Sequence, residues 1–149
     1  MFVTANHNSG AHANVSASTR HSRLYCPAMR GLEWIIDAHG CDPAALRDEG
    51  RLRALFDRLI DDLTLTPVAP PVWHTFPAPG GLTGVVVLAE SHLACHTFPE
   101  FGSICLNLFC CRARPDFDAA GVLAETLGAA RTDVRQVERD YAAAETLQP

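Results

Sequence analysis

Long apolar runs are missing from this sequence. None approaches the roughly 20 residues that a helix needs to cross a bilayer, so no membrane span is expected. The opening residues, MFVTANHNSGAHANVSASTR, also lack the continuous apolar core of a secretion signal. Positive charge is scarce. Twelve basic side chains stand against 17 acidic ones, for a formal net charge of −5. No basic stripe stands out, which argues against nucleic acid as a partner. The six cysteines (Cys26, Cys41, Cys95, Cys105, Cys110 and Cys111) contain no CxxC pair, so a dithiol redox motif or a zinc ribbon has little support. With no secretion pattern, the expectation is a reducing cytoplasm and free thiols. A GxSxG nucleophile elbow is absent too, which removes the signature of an α/β-hydrolase.

What is present suits one globular domain. The chain has 149 residues, 48% of them apolar, enough to bury a real core. Residues 1–28 are rich in Ala, Ser, Asn and His and hold no helical or strand period. They read as a flexible tail ahead of a domain over 29–149. His7, His12 and His21 in that tail are conceivable metal ligands, but a solvated tail is the simpler reading.

GLEWIIDAHGC (31–41) predicts a strand with Trp34 and Ile36 on one face and Ile35 on the other. Asp42 and Pro43 then suit a helix start. Leu52, Leu55, Phe56, Leu59, Ile60 and Leu63 recur at helical spacing, with Gly50 as a candidate break. A proline-rich connection surrounds a short extended piece, Val72–Phe76. LTGVVVLAE predicts a strand and SHLACHTF its hairpin partner. In FGSICLNLFCC, Ile104, Leu106 and Leu108 alternate with Cys105, Asn107 and Phe109, the period of two of a strand with unlike faces. DFDAAGVLAETLG predicts a helix, with Asp116 near its start and Gly128 past its end. TDVRQVERDY is a final strand. Strands joined by short turns pair antiparallel, and helices gathered on one face give an α+β two-layer sandwich.

The chemistry concentrates in VVVLAESHLACHTFPEFG, from Val85 onward. An apolar strand ends on Glu90-Ser91-His92, and His96 follows the serine by five residues. Three readings stay open on the residues alone. One is a turn with incidental polar groups. Another is a zinc site, with His92 and His96 on one face and Cys105 or Cys111 from the next strand. The last is nucleophilic chemistry, with Ser91 as nucleophile, His96 as base and a nearby thiol as acid.

GLTGVVVLAESHLACHTFPEFGSICLNLFCC resembles the core of the bacterial S-adenosylmethionine decarboxylase proenzymes. Those carry a Gly-Val-Val-Val strand, then Glu-Ser-His, a histidine five residues after the serine, an aromatic-Pro-Glu triplet, and a cysteine twenty residues after the serine. Here Ser91, His96, Phe98-Pro99-Glu100 and Cys111 stand at those offsets. The similarity extends over about residues 31–141. It implies that the chain cleaves itself between Glu90 and Ser91. The serine hydroxyl attacks the Glu90 carbonyl, and an N-to-O acyl shift turns the amide into an ester. A constrained turn and oxyanion-type donors must help. Elimination then needs a base for the serine α-proton, and the resemblance points to His96. A pyruvoyl group is left at residue 91 as a self-derived cofactor. It takes the substrate amine as a Schiff base and serves as the electron sink for loss of CO₂, as pyridoxal phosphate does elsewhere.

The resemblance assigns further roles. Cys111 becomes the proton donor, since an ordinary thiol is mostly protonated at neutral pH. Cys110 should face the other way and be structural, with Cys95 and Cys105 as core or interface thiols. Glu100 is implied to accept from the ribose hydroxyls, and Phe76 to stack on adenine and hold the sulfonium by cation–π attraction. Thr83 stands where many relatives have a serine that assists processing. The chain departs from the pattern at Gly31-Leu32-Glu33, where relatives read Gly-x-His, and Asp37 replaces a common glutamate. Glu33 could therefore hold an amine or guanidinium, which keeps ornithine or arginine open as an alternative substrate. An unprocessed paralogue that only binds a partner is the alternative from another class. The resemblance further implies a homodimer with residues of both protomers at each site, and a product that donates aminopropyl groups for spermidine.

Overall fold

The computed structural model describes residues 30–112 and 114–140, with the Arg30 side chain excluded. The expected tail, with its three histidines and Cys26, lies outside the described residues, as does Tyr141. Strand β1 (Arg30–His39) alternates as its sequence predicts. Trp34, Ile36 and Ala38 are buried, and Glu33, Ile35 and Asp37 point to the other face.

The next segment corrects one expectation. Asp42 does not cap the long helix. Its side chain accepts the Ala44 N–H at 2.9 Å and opens a short 3-10 turn over Ala45–Arg47. Asp48 then leaves helical conformation (φ −88°, ψ 98°) and accepts the Arg51 N–H at 3.1 Å. Helix α1 (Glu49–Asp62) starts there, because an Asp side chain satisfies an amide that the first turn leaves unpaired. Gly50 sits inside that first turn and does not break it. Leu52, Leu55, Phe56 and Leu59 form the buried stripe.

Strands β2 (Val72–Thr75), β3 (Leu82–Leu88), β4 (Ser91–Phe98) and β5 (Ser103–Cys110) follow, then helix α2 (Ala119–Leu127) and strand β6 (Arg131–Asp140). Asp118 caps α2 by accepting the Gly121 N–H at 2.9 Å, so the cap lies two residues beyond Asp116. Gly128, at φ 69°, ends it in the left-handed conformation that glycine tolerates. The sheet order is β2-β3-β4-β5-β1-β6, and every neighbouring pair is antiparallel. The α+β sandwich with an antiparallel sheet is therefore the observed fold.

One sheet face carries Leu82, Val86, Leu93, Cys95, Ile104, Leu106, Leu108 and Cys110, packed with α1 and α2 into one core. The opposite face carries Val85, Val87, His92, Ala94, His96, Cys105, Asn107 and Phe109. Among the described residues no helix covers it, and Val85 and Val87 are exposed.

Gly84 shows how tightly β2 lies on β3. A Cβ there would run into the Trp73 ring. Gly84→Ala is expected to destabilise the fold by about 1–3 kcal/mol, since the ring also packs on Phe56. A urea titration checks this, and an unchanged midpoint would contradict it.

Candidate active site

β3 and β4 form a hairpin whose turn is only Ala89-Glu90, so Ser91 opens β4 directly opposite Leu88. This turn is held on both flanks. The Ala89 N–H donates to the Thr66 carbonyl at 2.8 Å. The Glu90 carboxylate accepts from Arg114 at 2.8 Å and from the Thr66 N–H at 3.4 Å. Arg114 in turn donates to the Thr64 carbonyl at 3.1 Å. Both Glu90 and Arg114 side chains are only 14% exposed, so the pair is a partly buried clamp and not a solvated surface contact. Burial alone would raise the Glu90 carboxyl. Its own backbone amide, the Thr66 amide and Arg114 together outweigh that and hold it below the ordinary value.

The Glu90 carbonyl is the atom of most interest. It accepts the Cys111 N–H at 3.1 Å. Register explains why: Ser91 lies across from Cys110, so Cys111 comes level with the turn as β5 ends. The backbone of residue 111 thus polarises the carbonyl beside Ser91, as an oxyanion donor must. The Ser91 hydroxyl oxygen lies 3.3 Å from His92 Nδ1. Cys111 itself is half-buried beside a surface depression of about 410 Å³ that Phe109, Arg139 and Asp140 also line. Cys110 is fully buried among the core residues, and burial pushes its thiol up. Burial raises Cys95 further, to about 12. Neither can release a proton readily.

A second cluster sits at the far end of β4. His96 pairs across from Thr83, and the Thr83 hydroxyl lies 2.7 Å from His96 Nδ1. A cavity of about 280 Å³ adjoins them, lined by Phe76, Pro79, Gly81, His96, Phe98 and Glu100. The 76–81 loop closes when the Phe76 N–H donates to the Gly81 carbonyl at 2.8 Å. It lies so close to β4 that a Cβ at Gly81 would meet the Thr97 carbonyl oxygen at 2.5 Å. The cavity therefore offers two aromatic rings, one imidazole and one carboxylate.

These two clusters do not meet within one chain. Ser91 and His96 are five residues apart on an extended strand, which is about 16 Å along its axis. Strand alternation also sends their side chains to opposite faces. Ser91 falls on the same face as Leu93 and Cys95, whereas His96 falls on the uncovered face with His92. Cys111 and Glu90 belong to the Ser91 end; Thr83, Phe76 and Glu100 belong to the His96 end.

Glu33 lies in neither cluster. Asn107 Nδ2 donates to one of its oxygens at 2.8 Å, and Arg139 pairs with the other. The Asn107 hydrogen bond foremost, then Arg139, holds its carboxyl below the ordinary value, against the effect of burial. His92 joins the same group through Asn107 Oδ1, at 3.1 Å from His92 Nε2. The two histidines of the zinc reading are thus engaged separately, His92 with Asn107 and His96 with Thr83. Among the described residues no group of three His, Cys, Asp or Glu side chains is arranged for a metal. The Arg114 clamp and the His92–Asn107–Glu33–Arg139 chain went unnoticed in the sequence. The chain's members come from four strands and the clamp's from separate connecting segments, and no local spacing signals them.

A family profile described as S-adenosylmethionine decarboxylase matches residues 32–140. The chain belongs to the S-adenosylmethionine decarboxylase family. Among its relatives, an S-adenosylmethionine decarboxylase proenzyme of Parasynechococcus marenigrum (strain WH8102) is 36% identical over 118 residues, covering 78% of this chain and 90% of that protein. A proenzyme of the same description from Prochlorococcus marinus (strain MIT 9313) is 34% identical over 118 residues, with 78% and 92% covered. The crystal structure of the adenosylmethionine decarboxylase from Aquifex aeolicus VF5 superposes with a TM-score of 0.63 at 28% identity, covering 79% of this chain and 97% of that one. S-adenosylmethionine decarboxylases are carboxy-lyases, and the matched span contains every residue of both clusters.

Proposed function

We propose that this chain is a self-processing, pyruvoyl-dependent S-adenosylmethionine decarboxylase that works as a homodimer. The observation that carries the reading is the Cys111 N–H set on the Glu90 carbonyl, inside a turn clamped by Arg114 and Thr66. Attack by the Ser91 hydroxyl places negative charge on that oxygen, and a fixed amide stabilises it without reorganising. The relatives described as proenzymes support the same step.

The residues at position 91 fit the group they would produce. The pyruvoyl carbonyl supplies the electron sink for CO₂ loss, the part pyridoxal phosphate plays in other decarboxylases. None of these 149 residues is lysine, since all 12 basic side chains are arginine, so none of them offers the side-chain amine on which pyridoxal phosphate is held as a Schiff base. Glu100 would accept from the ribose hydroxyls and Phe76 would stack on the adenine, both from the cavity they already line. Cys111, beside residue 91, would return a proton to the substrate carbon. His96, supported by Thr83, would remove the α-proton of residue 91 during processing.

Within one protomer His96 cannot reach its own Ser91, and this separation is what supports a dimer. A two-fold partner laid on the uncovered sheet face would bring its His96 end to the Ser91 end of the first copy. Val85, Val87 and Phe109 on that face offer apolar surface for the contact. A cytoplasmic site of action and a product used for spermidine belong to the same proposal. No helix of the described residues is long and apolar enough to cross a membrane.

Glu33 favours the sulfonium substrate over ornithine or arginine. Its charge is already paired with Arg139, so it offers no surplus negative charge to a substrate amine. The test is CO₂ release from carboxyl-labelled S-adenosylmethionine, ornithine and arginine. Release from the first alone is expected. Release from ornithine or arginine in its place would transfer the assignment to that substrate.

A further inference from the structure

The sequence after Ser91 holds two histidines, and the roles above use only His96. We infer that His92 is the general base that takes the Ser91 hydroxyl proton in the N-to-O acyl shift. This rests on the self-processing reading proposed above.

The orientation of one amide carries the inference. The Glu33 carboxylate has no proton to donate, so the group of Asn107 that meets it at 2.8 Å must be the NH₂. Asn107 Oδ1 is then the atom that faces His92 Nε2 at 3.1 Å. A carbonyl oxygen only accepts, so Nε2 carries the imidazole proton. In the neutral ring the other nitrogen, Nδ1, is left with its lone pair. Nδ1 is the atom that lies 3.3 Å from the Ser91 hydroxyl oxygen. The hydroxyl therefore donates to Nδ1, as a nucleophile donates to its base. Arg139, paired with the other Glu33 oxygen, keeps that carboxylate ionised and the amide facing one way.

Every proton is accounted for. Ser91 Oγ–H gives its proton to His92 Nδ1 as the oxygen bonds to the Glu90 carbonyl carbon. The negative oxygen that results is held by the Cys111 N–H. When the C–N bond between Glu90 and Ser91 breaks, His92 Nδ1–H returns the proton to the departing nitrogen. The product is an ester between Glu90 and the residue 91 side chain, with a free amine at residue 91. His92 acts before the ester forms and His96 acts on the ester, so the two histidines serve successive steps.

The experiment follows the split by intact mass over time in freshly made wild-type, His92→Ala, His92→Gln and His96→Ala chains, with and without hydroxylamine or imidazole. Hydroxylamine cuts esters and spares amides. The expected result is that both His92 variants split about 100-fold or more slowly. Hydroxylamine should not accelerate them, because no ester accumulates. Imidazole should restore part of the rate in His92→Ala, which a purely structural role would not allow. The His96→Ala chain should instead accumulate an ester that hydroxylamine cuts. His92→Gln keeps a donor for Asn107, and a cooperative melt shows that it folds. The inference is overturned if a folded His92 variant splits at the wild-type rate, or if it accumulates hydroxylamine-sensitive ester. A wild-type chain that never splits would overturn the self-processing reading itself.

Discussion

Ser91→Ala is expected to leave one uncut chain with CO₂ release at the uncatalysed background, a fall of about 10⁶-fold or more. The variant loses a single hydroxyl and no other group. Ser91 is half-buried at a strand end, and among the described residues its side-chain oxygen contacts only His92, so the fold should survive. Loss of activity with a normal melting temperature would therefore report chemistry and not unfolding. Two consequences separate this variant from one altered at Cys111. Ser91→Ala should neither split nor form a carbonyl, so it should not react with a carbonyl reagent such as a hydrazide. Cys111→Ser keeps the backbone N–H on the Glu90 carbonyl, so it should still split. It should then be deficient in proton return to the substrate. If Ser91→Ala released CO₂ at even a few per cent of the wild-type rate, the pyruvoyl account would be wrong.

The second large effect concerns the two ends of β4. Chains with Ser91→Ala or with His96→Ala should each remain unprocessed alone. Expressed together they should complement. In a mixed two-fold dimer one site receives Ser91 from one chain and His96 from the other. With equal expression and random pairing, about half of the His96→Ala chains should then be cut. A site built within one chain would give no cutting in the mixture. The distance along β4 argues for complementation, since an extended strand keeps His96 about 16 Å from Ser91 of the same chain.

Most of the sheet was legible because alternation is a local signal. Trp34, Ile36, Leu106 and Leu108 declare their faces within a few residues, and the Ala89-Glu90 turn follows from an apolar run that stops abruptly. The caps were less legible. Asp42, Asp48, Asp116 and Asp118 are all plausible caps, and the choice depends on which one has an amide within reach three residues on. At the site, Ser91, His96, Cys111, Phe76 and Glu100 were legible through spacing that resembles a family. What no spacing could convey was that they fall into two groups at opposite ends of a strand. That arises from the β3–β4 and β4–β5 registers. Glu33 illustrates the limit. Its sequence context suggested a charge turned toward substrate, whereas the fold pairs it with Arg139 and Asn107, which are far off in sequence but lie on β6 and β5, the strands that flank β1.

The central claim is that the bond between Glu90 and Ser91 breaks through the chain's own chemistry. Intact mass of fresh wild-type protein tests it most directly. The account predicts two fragments, 1–90 and 91–149, with the second lighter by one ammonia than a serine-ended fragment. A single species at full length, or a second fragment that still begins with serine, would contradict it.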